Sequence, residues 1–402
     1  MIKRSLNIVD GVIACLSAAV LLLAAPRAAA ATATETGVDK RQSAAAAAAE
    51  PSQFYSEDGW LDFSGFLDEA YGFIPIASPI TEPAVGYGLA GGLVFVDKTK
   101  ENAEPGYWRP NITGVGGLGT ENGTWGAFAA DSRYWLKDRL HTLAGVITAS
   151  VNLDFYGIGS NDVVRDHPLS YNLRPKGGFL QGQYRIADSR IWAGLGYVAA
   201  VTDVSFETYP GDSRLPQLQN VSRVGGALVS LTFDSRDNIF TPLKGTYLDA
   251  SAGLFSPALG SDHAFQRVTL TAMHFLALHP EVSFGVRAGG TMSSGDVPFY
   301  LRPYVQLRGV QAIRYQGDDV AQIEAELRWQ FWQRFSIVGF GGWGAAWNDF
   351  ARVDNRITVT SGGVGFRYEL ASRYGLHMGI DVAWGPDYPI VYVQFGSAWA
   401  RP

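Results

Sequence analysis

In the stretch QIEAELRWQF, residues 322–331, apolar and polar side chains alternate without a break. Ile323 and Leu327 belong to one face of an extended chain. Glu324 and Glu326 belong to the opposite face. Such a strand cannot lie in the core of a sandwich, because buried charges without partners are costly. The pattern instead predicts a wall with lipid on one side and water on the other.

The same two-residue period recurs through most of the chain. It is clear in residues 145–153, 227–234 and 363–370. Turn-forming residues separate such segments at intervals that suit strands of roughly ten residues. Because a bacterial barrel has an even number of strands, we expect 16, with residues 73–80 as the first and weakest. The pattern therefore predicts an all-β fold, a transmembrane antiparallel β-barrel over residues 73–402.

The N-terminus has the order of basic, apolar and small residues that is typical of a secretory signal peptide. Residues 1–30 are therefore predicted to be cleaved on export, and residues 31–72 to form a flexible periplasmic leader. Within that leader, the pattern of residues 60–71 fits either a short amphipathic helix or an irregular lead-in to the first strand. Beyond residue 30 no apolar run approaches about 18 residues, so no helix there is expected to span a membrane.

Composition limits the classes of protein to which the chain can belong. Charged residues make up 17% of it, against roughly a quarter in soluble domains, and it contains 47 glycines and 13% aromatic residues. These values favour an exported β-protein or a membrane barrel. The formal net charge of −6 argues against nucleic acid as a partner. Together with the signal peptide, they predict a protein of the Gram-negative outer membrane that contacts lipid and lipopolysaccharide.

Three motifs that could carry chemistry have simpler explanations. Residues 114–119 fit the glycine pattern of a dinucleotide site, but a turn follows them instead of a helix. The six histidines show neither metal-ligand spacing nor a motif shared with a serine. Residues 234–238 start like a calcium loop, yet Gly245 stands where a bidentate glutamate would be needed. No cofactor, no metal and no enzymatic activity are therefore expected.

The longest predicted loop, residues 294–319, is the most informative part of the sequence. Connections of this length are uncommon and usually functional. The loop carries Arg302, Arg308 and Arg314 among three tyrosines. Two interpretations remain open at this point. Either the loop folds back into the barrel, where an arginine pairs with carboxylates of the next strand, or it stays at the surface with solvated arginines.

Three motifs together are similar to those of one family of outer-membrane proteins. They are DFYGIG at residues 154–159, FDSRDN with the following FTPLKG at residues 233–245, and LRGV with the later ELR at residues 307–328. On these motifs, residues 72–399 resemble the barrel of the BamA/TamA family, the bacterial surface antigen type. The short leader implies a barrel-only member without periplasmic domains.

The resemblance implies roles for particular residues. It implies that Arg308, beside Gly309, is tucked into the barrel and pairs with Glu324 or Glu326, as a latch between loop and wall. The alternation of that strand independently places both glutamates on the inner face. The first and last strands would then join weakly, so that client strands could enter the membrane at that seam. A turn between two mid-barrel strands is also implied, formed by Asp234, Arg236, Asp237, Asn238 and Gly245.

The sequence departs from the family pattern at several positions. Val310 stands where the family prefers an aromatic residue, and residues 340–342 stand where a second acidic partner for the arginine is usual. That contact is therefore expected to be missing. The last strand resembles an outer-membrane targeting strand, with Phe395, Gly396 and Trp399. Aromatic residues near predicted strand ends either sit at headgroup depth or, taken singly, are ordinary packed side chains; they are Trp332, Phe335, Trp384, Tyr388, Tyr392 and Trp399.

Three functions remain open from the sequence. The resemblance favours a barrel that assists insertion, assembly or translocation of outer-membrane components, with nascent outer-membrane proteins as partners. The alternative is a passive channel for small solutes, since a barrel of 16 strands can be wide enough to hold water. A lipid-modifying enzyme of the outer membrane is the third hypothesis. No oligomeric state follows from the sequence.

Overall fold

The computed structural model describes residues 54–56, 58–69, 72–97, 111–158, 166–206, 219–348 and 355–399. The predicted signal peptide and most of the predicted leader lie outside these ranges. Ahead of the barrel there is one short helix, α1 (Ser64–Glu69). Of the two interpretations left open for residues 60–71, the structure therefore shows a helix, although a shorter one than the pattern suggested.

Sixteen strands follow, and they form one antiparallel sheet in which each strand pairs with its neighbours in sequence order. The predicted transmembrane barrel of 16 strands is confirmed. The strands are β1 (Gly72–Ile80), β2 (Gly88–Asp97), β3 (Asn111–Thr120), β4 (Trp125–Trp135), β5 (Leu140–Phe155), β6 (Leu169–Arg185), β7 (Ile191–Phe206), β8 (Gln219–Asp234), β9 (Gly245–Phe255), β10 (Phe265–His279), β11 (Val282–Gly295), β12 (Asp319–Trp332), β13 (Phe335–Trp347), β14 (Ile357–Ala371), β15 (Leu376–Trp384) and β16 (Ile390–Phe395).

The alternation in the sequence maps onto the two faces of this wall. On β12, Ile323 is 46% exposed on the outer face, whereas the neighbouring Glu324 is 2% exposed on the inner face. The outer faces of the other strands expose leucine, valine, tryptophan and tyrosine side chains in the same way. The barrel thus has an apolar outer face of the kind that transmembrane barrels have. Among the described residues no helix is long and apolar enough to cross a membrane.

An even number of strands puts both ends of the barrel chain at one rim. The connections at that rim include residues 136–139, 186–190 and 333–334, so we call it the turn end. The opposite rim, the loop end, carries residues 256–264 and the long connection 296–318. In outer-membrane barrels the short turns face the periplasm and the longer loops face the outside.

The long loop, residues 296–318, lies inside the barrel. Tyr300, Leu301 and Ile313 are buried in one cluster with Leu173 and Val198 of the wall. The interpretation as an inward-folded loop is confirmed, and the alternative of a surface loop is wrong. The physical reason is that its tyrosine and aliphatic side chains find apolar partners on the inner faces of β5–β8, where the wall is not uniformly polar.

The last strand ends earlier than the sequence suggested. Gly396 has a φ of +74° and its N–H donates to the carbonyl of His377 at 2.6 Å, so the chain turns into the lumen after Phe395. Trp399 is 3% exposed and its ring centroid lies 5.9 Å from that of Phe275. The interpretation that places Trp399 at headgroup depth in a lipid-facing strand is therefore wrong. Tyr392 also faces the lumen, whereas Trp332, Trp384 and Tyr388 are exposed.

Candidate functional site in the lumen and at the seam

A tight backbone turn in the long loop presents Arg308 to the wall. The N–H of Val310 donates to the carbonyl of Leu307 at 3.2 Å, and Gly309 has a φ of +86°. A Cβ at Gly309 would lie 3.0 Å from the backbone carbonyl carbon of Trp384. A side chain there would be both strained and too close to β15, so the position requires glycine.

Arg308 is buried among three carboxylates. Its Nε donates to Oε1 of Glu324 at 2.7 Å, and its Nη1 lies 2.7 Å from Oε2 of Glu326. Nη1 also donates to Oδ2 of Asp381 at 3.0 Å. Arg308 is 7% exposed and Asp381 is fully buried. The structure thus brings Arg308 together with both glutamates named from the sequence, and adds a third carboxylate.

Asp381 is a partner of Arg308 that was not predicted from the sequence. Residues 340–342 of β13 contain no carboxylate, and β15 supplies one in its place. Phe340 packs against the guanidinium of Arg308, whose central carbon lies 3.5 Å from the ring centroid. A signal existed in the sequence. In LHMGIDVAW of β15, Asp381 falls on the face opposite Ile380 and Trp384, which is the inner face.

Further charges surround this centre. Arg367 of β14 donates from Nη2 to Oδ2 of Asp381 at 2.9 Å. Arg287 of β11 lies 3.8 Å from Glu324, and Trp399 donates from Nε1 to Oε1 of Glu324 at 2.9 Å. The long loop and the strands β11, β12, β14 and β15 therefore share one buried ion network, to which Trp399 adds a hydrogen bond. Removing one member of such a network leaves an uncompensated buried charge, which is strongly destabilising.

The long loop also contacts both sides of the gap between the first and last strands. On the β16 side, the N–H of Gly309 donates to the hydroxyl of Tyr392 at 3.0 Å, and Arg314 donates to Asp387 at 2.9 Å. On the β1 side, the N–H of Ala312 donates to Glu82 of the β1–β2 connection at 3.0 Å. We call these contacts the loop bridge. They join the two sides of the gap at the loop end.

A second connection crosses the gap at the turn end. Residues 54–69, which we call the N-terminal anchor, precede β1 but pack on the hairpins β12–β13 and β14–β15. Arg334 donates from Nη1 to Oδ2 of Asp62 at 2.8 Å, and Ser372 donates to the same carboxylate at 2.6 Å. Burial opposes ionisation of Asp62, but its hydrogen bonds with Ser372, Ser64 and Arg334 outweigh that effect and hold its pKa at about 2.

The predicted turn motif lies at the turn end, between β8 and β9. Arg236 donates from Nε to Oδ1 of Asp234 at 2.9 Å, and Oδ1 of Asp237 accepts the N–H of Leu243 and of Lys244. Asn238 donates to the carbonyl of Tyr374 at 2.7 Å, which ties the turn to the β14–β15 connection. Gly245 has a φ of +109°.

One cluster resembles a hydrolase relay. Nε2 of His263 lies 3.0 Å from Oγ of Ser222, and Nδ1 of the same ring lies 2.7 Å from Asp296. Ser222, however, is 3% exposed and its Oγ already accepts the hydroxyl of Tyr300 at 2.9 Å. A nucleophile must reach a substrate carbonyl. The cluster therefore holds β8, the 256–264 connection and the long loop together, and sequence missed it because its members are distant in the chain.

The fold and this site define a class of protein. A nearly closed run of 16 antiparallel strands has an apolar outer face, a partly charged inner face and an arginine-bearing loop in the lumen, which is an outer-membrane β-barrel with an internal loop latch. Residues 226–399 match the Omp85 superfamily domain. The resemblance to the BamA/TamA barrels is confirmed at this level.

Solved structures show the same fold. BamA from Haemophilus ducreyi lacking POTRA domains 1–3 matches with a TM-score of 0.53 and 13% identity, over 80% of this chain and 68% of that chain. CdiB from Escherichia coli matches with a TM-score of 0.55 and 11% identity, over 80% of this chain and 61% of that chain. CdiB from Acinetobacter baumannii gives 0.53 and 9%, over 80% and 59%. This chain thus spans about three fifths of each CdiB chain. No curated protein sequence matches it.

Proposed function

We propose that this barrel assists the insertion or assembly of other outer-membrane proteins at the gap between β1 and β16, which we call the seam. The observation that supports this proposal most directly is the pairing pattern of the sheet. Every pair of consecutive strands forms a ladder, whereas none joins β1 to β16 among the described residues. The seam is therefore the one line along the described wall that can part without breaking backbone ladders.

The unpaired backbone groups at such a seam favour pairing with an added strand. Each unpaired N–H or C=O in hydrocarbon costs several kcal/mol, so the free edges of β1 and β16 favour any partner that can pair with them. Only an extended backbone supplies donors and acceptors at the matching spacing. A nascent outer-membrane protein is rich in such segments, and it is the partner that this edge chemistry suits.

The contacts that close the seam are suited to reversible opening. The loop bridge lies at the loop end, and the N-terminal anchor lies at the turn end. The loop bridge consists of hydrogen bonds and an ion pair, such as the bond from Ala312 to Glu82. The anchor combines the Arg334–Asp62 ion pair with packing of Trp60 on Trp332. Their polar groups can meet water when the seam opens, so opening does not transfer charges into lipid.

The passive channel is less well supported. The long loop occupies the lumen, and its buried side chains pack against β5–β8 and against β12–β15. A solute would have to displace this loop and break the Arg308 network. The lipid-modifying enzyme is also less well supported, because the Ser222 hydroxyl is buried beneath Tyr300.

The setting of this function is also part of the proposal. Residues 1–30 would direct export, and residues 31–72 would lie in the periplasm ahead of the barrel of residues 73–402. The outer face would contact lipid and lipopolysaccharide, and the β16 segment with Phe395 and Gly396 would serve targeting.

A depletion experiment tests the proposal. Loss of the protein should lower the amounts of other barrel proteins in isolated outer membranes, because their strands would lack an entry line. Complementation with the full-length chain should restore those amounts. If depletion changes only the uptake of small solutes and leaves outer-membrane protein levels intact, the channel hypothesis replaces this one.

A further inference from the structure

The two free edges at the seam differ in their hydrogen-bonding groups. β1 has the sequence GFIPIASPI, with Pro75 and Pro79, whereas β16 has the sequence IVYVQF and no proline. Proline has no backbone N–H and cannot donate to a strand ladder. Which edge a proline weakens depends on the side toward which its backbone points.

On β1 the prolines point toward the seam. In an antiparallel sheet, consecutive residues direct their N–H and C=O alternately to one neighbour and to the other. The carbonyl oxygen of Ile76 lies 3.6 Å from the Cβ position of Gly91 on β2, so Ile76 faces β2. Pro75, Ala77 and Pro79 therefore face away from β2, toward the seam.

The pairing of β2 with β3 gives the same result. The carbonyl oxygen of Gly91 lies 2.6 Å from the Cβ position of Gly116 on β3, so Gly91 directs its backbone groups to β3. Its register partner on β1 is Ala77, which therefore directs its own groups away from β2. Of the three seam-facing residues from Pro75 to Pro79, only Ala77 can donate a hydrogen bond.

The edge of β16 has its full set of donors. A Cβ at Gly363 of β14 would overlap the carbonyl oxygen of Val382, so Val382 faces β14. Its neighbour Asp381 therefore faces β16, where its register partner is Tyr392. Val391 and Val393, on either side of Tyr392, then face the seam with both N–H and C=O.

We propose that β16, and not β1, is the edge on which an incoming strand pairs, and that Pro75 and Pro79 keep β1 from accepting it. This inference rests on the proposed function. The occupant is an extended strand of another outer-membrane protein, because in hydrocarbon only a strand offers backbone groups at matching spacing. On the incoming strand, the side chains opposite Val391 and Val393 would face lipid and would therefore be apolar.

Single-cysteine crosslinking of the full-length protein tests this inference. The chain has one cysteine, Cys15, and it lies in the predicted signal peptide. An introduced cysteine is therefore the only thiol expected in the exported protein. Ala77→Cys samples the β1 edge and Val391→Cys the β16 edge. Val364→Cys is the matched control, because it is exposed on the outer face of β14 within the sheet. The probe is a co-produced eight-stranded outer-membrane protein with one cysteine in its last strand.

The expected result is a disulfide adduct at Val391→Cys about tenfold above that at Ala77→Cys, which corresponds to about 1.4 kcal/mol of pairing preference. Ala77→Cys should stay at the level of Val364→Cys. Equal adducts on both edges, or more on β1, overturn the inference and leave the proposed function standing. The positive control is a crosslink of the same probe to the host cell's outer-membrane assembly protein. If that control crosslinks and neither edge of this barrel gives an adduct, the proposed function fails.

A second variant tests the role of the prolines directly. Pro75→Ala with Pro79→Ala restores two N–H donors to the β1 edge, and should raise the adduct at Ala77→Cys toward that at Val391→Cys. Heat-modifiable mobility on a gel verifies that the variant barrel is folded. A folded variant whose β1 adduct stays at the control level overturns the assignment to the prolines.

Discussion

Arg308 shows how much one residue can organise in this barrel. Its guanidinium has a positive charge, five N–H donors and a flat face. It contacts three carboxylates of the wall and packs on the ring of Phe340. Its carboxylate partners come from β12 and β15, which are not neighbours in the sheet. The side chain therefore fixes the loop and also joins two parts of the wall across the lumen.

Removal of Arg308 should destabilise the barrel strongly. In an Arg308→Ala variant, Glu324 and Asp381 keep their burial but lose a cation, which we expect to lower the free energy of unfolding by about 3–5 kcal/mol. Urea unfolding of the purified barrel, followed by gel mobility, measures it. Arg139→Ala removes only an exposed pair with Asp188 and should cost less than about 1 kcal/mol. Equal costs for the two variants would show that the network is not held by Arg308.

Asp62 makes docking of the N-terminal anchor depend on pH. Because the folded pKa of about 2 is below the ordinary value of 3.8, the stabilisation is complete above about pH 4 and is lost as the pH falls toward 2. Trp60 packs against Trp332, with ring centroids 5.4 Å apart, so tryptophan fluorescence can follow release. Asp62→Asn should release the anchor already at neutral pH, whereas Asp188→Asn, at an exposed site, should behave as wild type. A wild-type titration without change in this range would contradict the assignment.

Among the elements of the fold, the long loop is held in the lumen by three sets of contacts. It is seated by an apolar cluster with β5–β8, by the Arg308 network and by the loop bridge. Its path beside Arg308 requires Gly309, because that residue combines a positive φ with close contact to the backbone of β15. A change there should act on the whole loop.

Gly309→Ala should unseat the loop. The left-handed conformation alone costs about 1–2 kcal/mol for a residue with a Cβ, and the contact with Trp384 adds to it. We expect the variant to show higher and less stable conductance in planar bilayers, since the lumen would open intermittently. Gly339→Ala is the control, because a Cβ there meets nothing within 4 Å. If both variants conduct like wild type, the loop does not depend on that glycine.

At the scale of the whole molecule, the barrel is a sheet whose ends are held together by parts that are not strands. β1 and β16 form no ladder with each other in the described part of the chain. The loop bridge joins their two sides at the loop end, and at the turn end the anchor ahead of β1 is held on the β12–β13 and β14–β15 hairpins. A pore would gain nothing from this construction, since a ladder would close it more firmly. A barrel that must open sideways would depend on it.

Covalent closure of the seam should therefore abolish function without unfolding the barrel. A double variant, Ala77→Cys with Val391→Cys, can be joined by a short bismaleimide. We expect outer-membrane protein levels to fall to those of depleted cells after joining, while conductance stays unchanged. Either single variant treated with the same reagent is the control. Normal assembly by a joined barrel would show that the seam does not need to part.

The sequence alone predicted the barrel wall and, in the latch, the pairing of Arg308 with Glu324 or Glu326. Strict alternation of apolar and charged residues has one stable arrangement in a membrane, so it predicted a barrel, its 16 strands and the inward side of Glu324 and Glu326. Because Pro75 and Pro79 are four residues apart, they share one edge of β1. That this edge faces the seam was shown only by the Ile76 carbonyl, which points to Gly91 of β2.

The contacts that cross the lumen and the seam could not be read from the sequence and were revealed by the folded barrel. Asp381 meets Arg308 from a strand 73 residues away in sequence, and Trp399 leaves its strand to reach Glu324. Local pattern specifies the direction in which a side chain points, because that depends on the backbone period alone. It does not specify what stands opposite across a closed sheet, because that distance depends on the curvature of the whole barrel and on the path of the loop inside it.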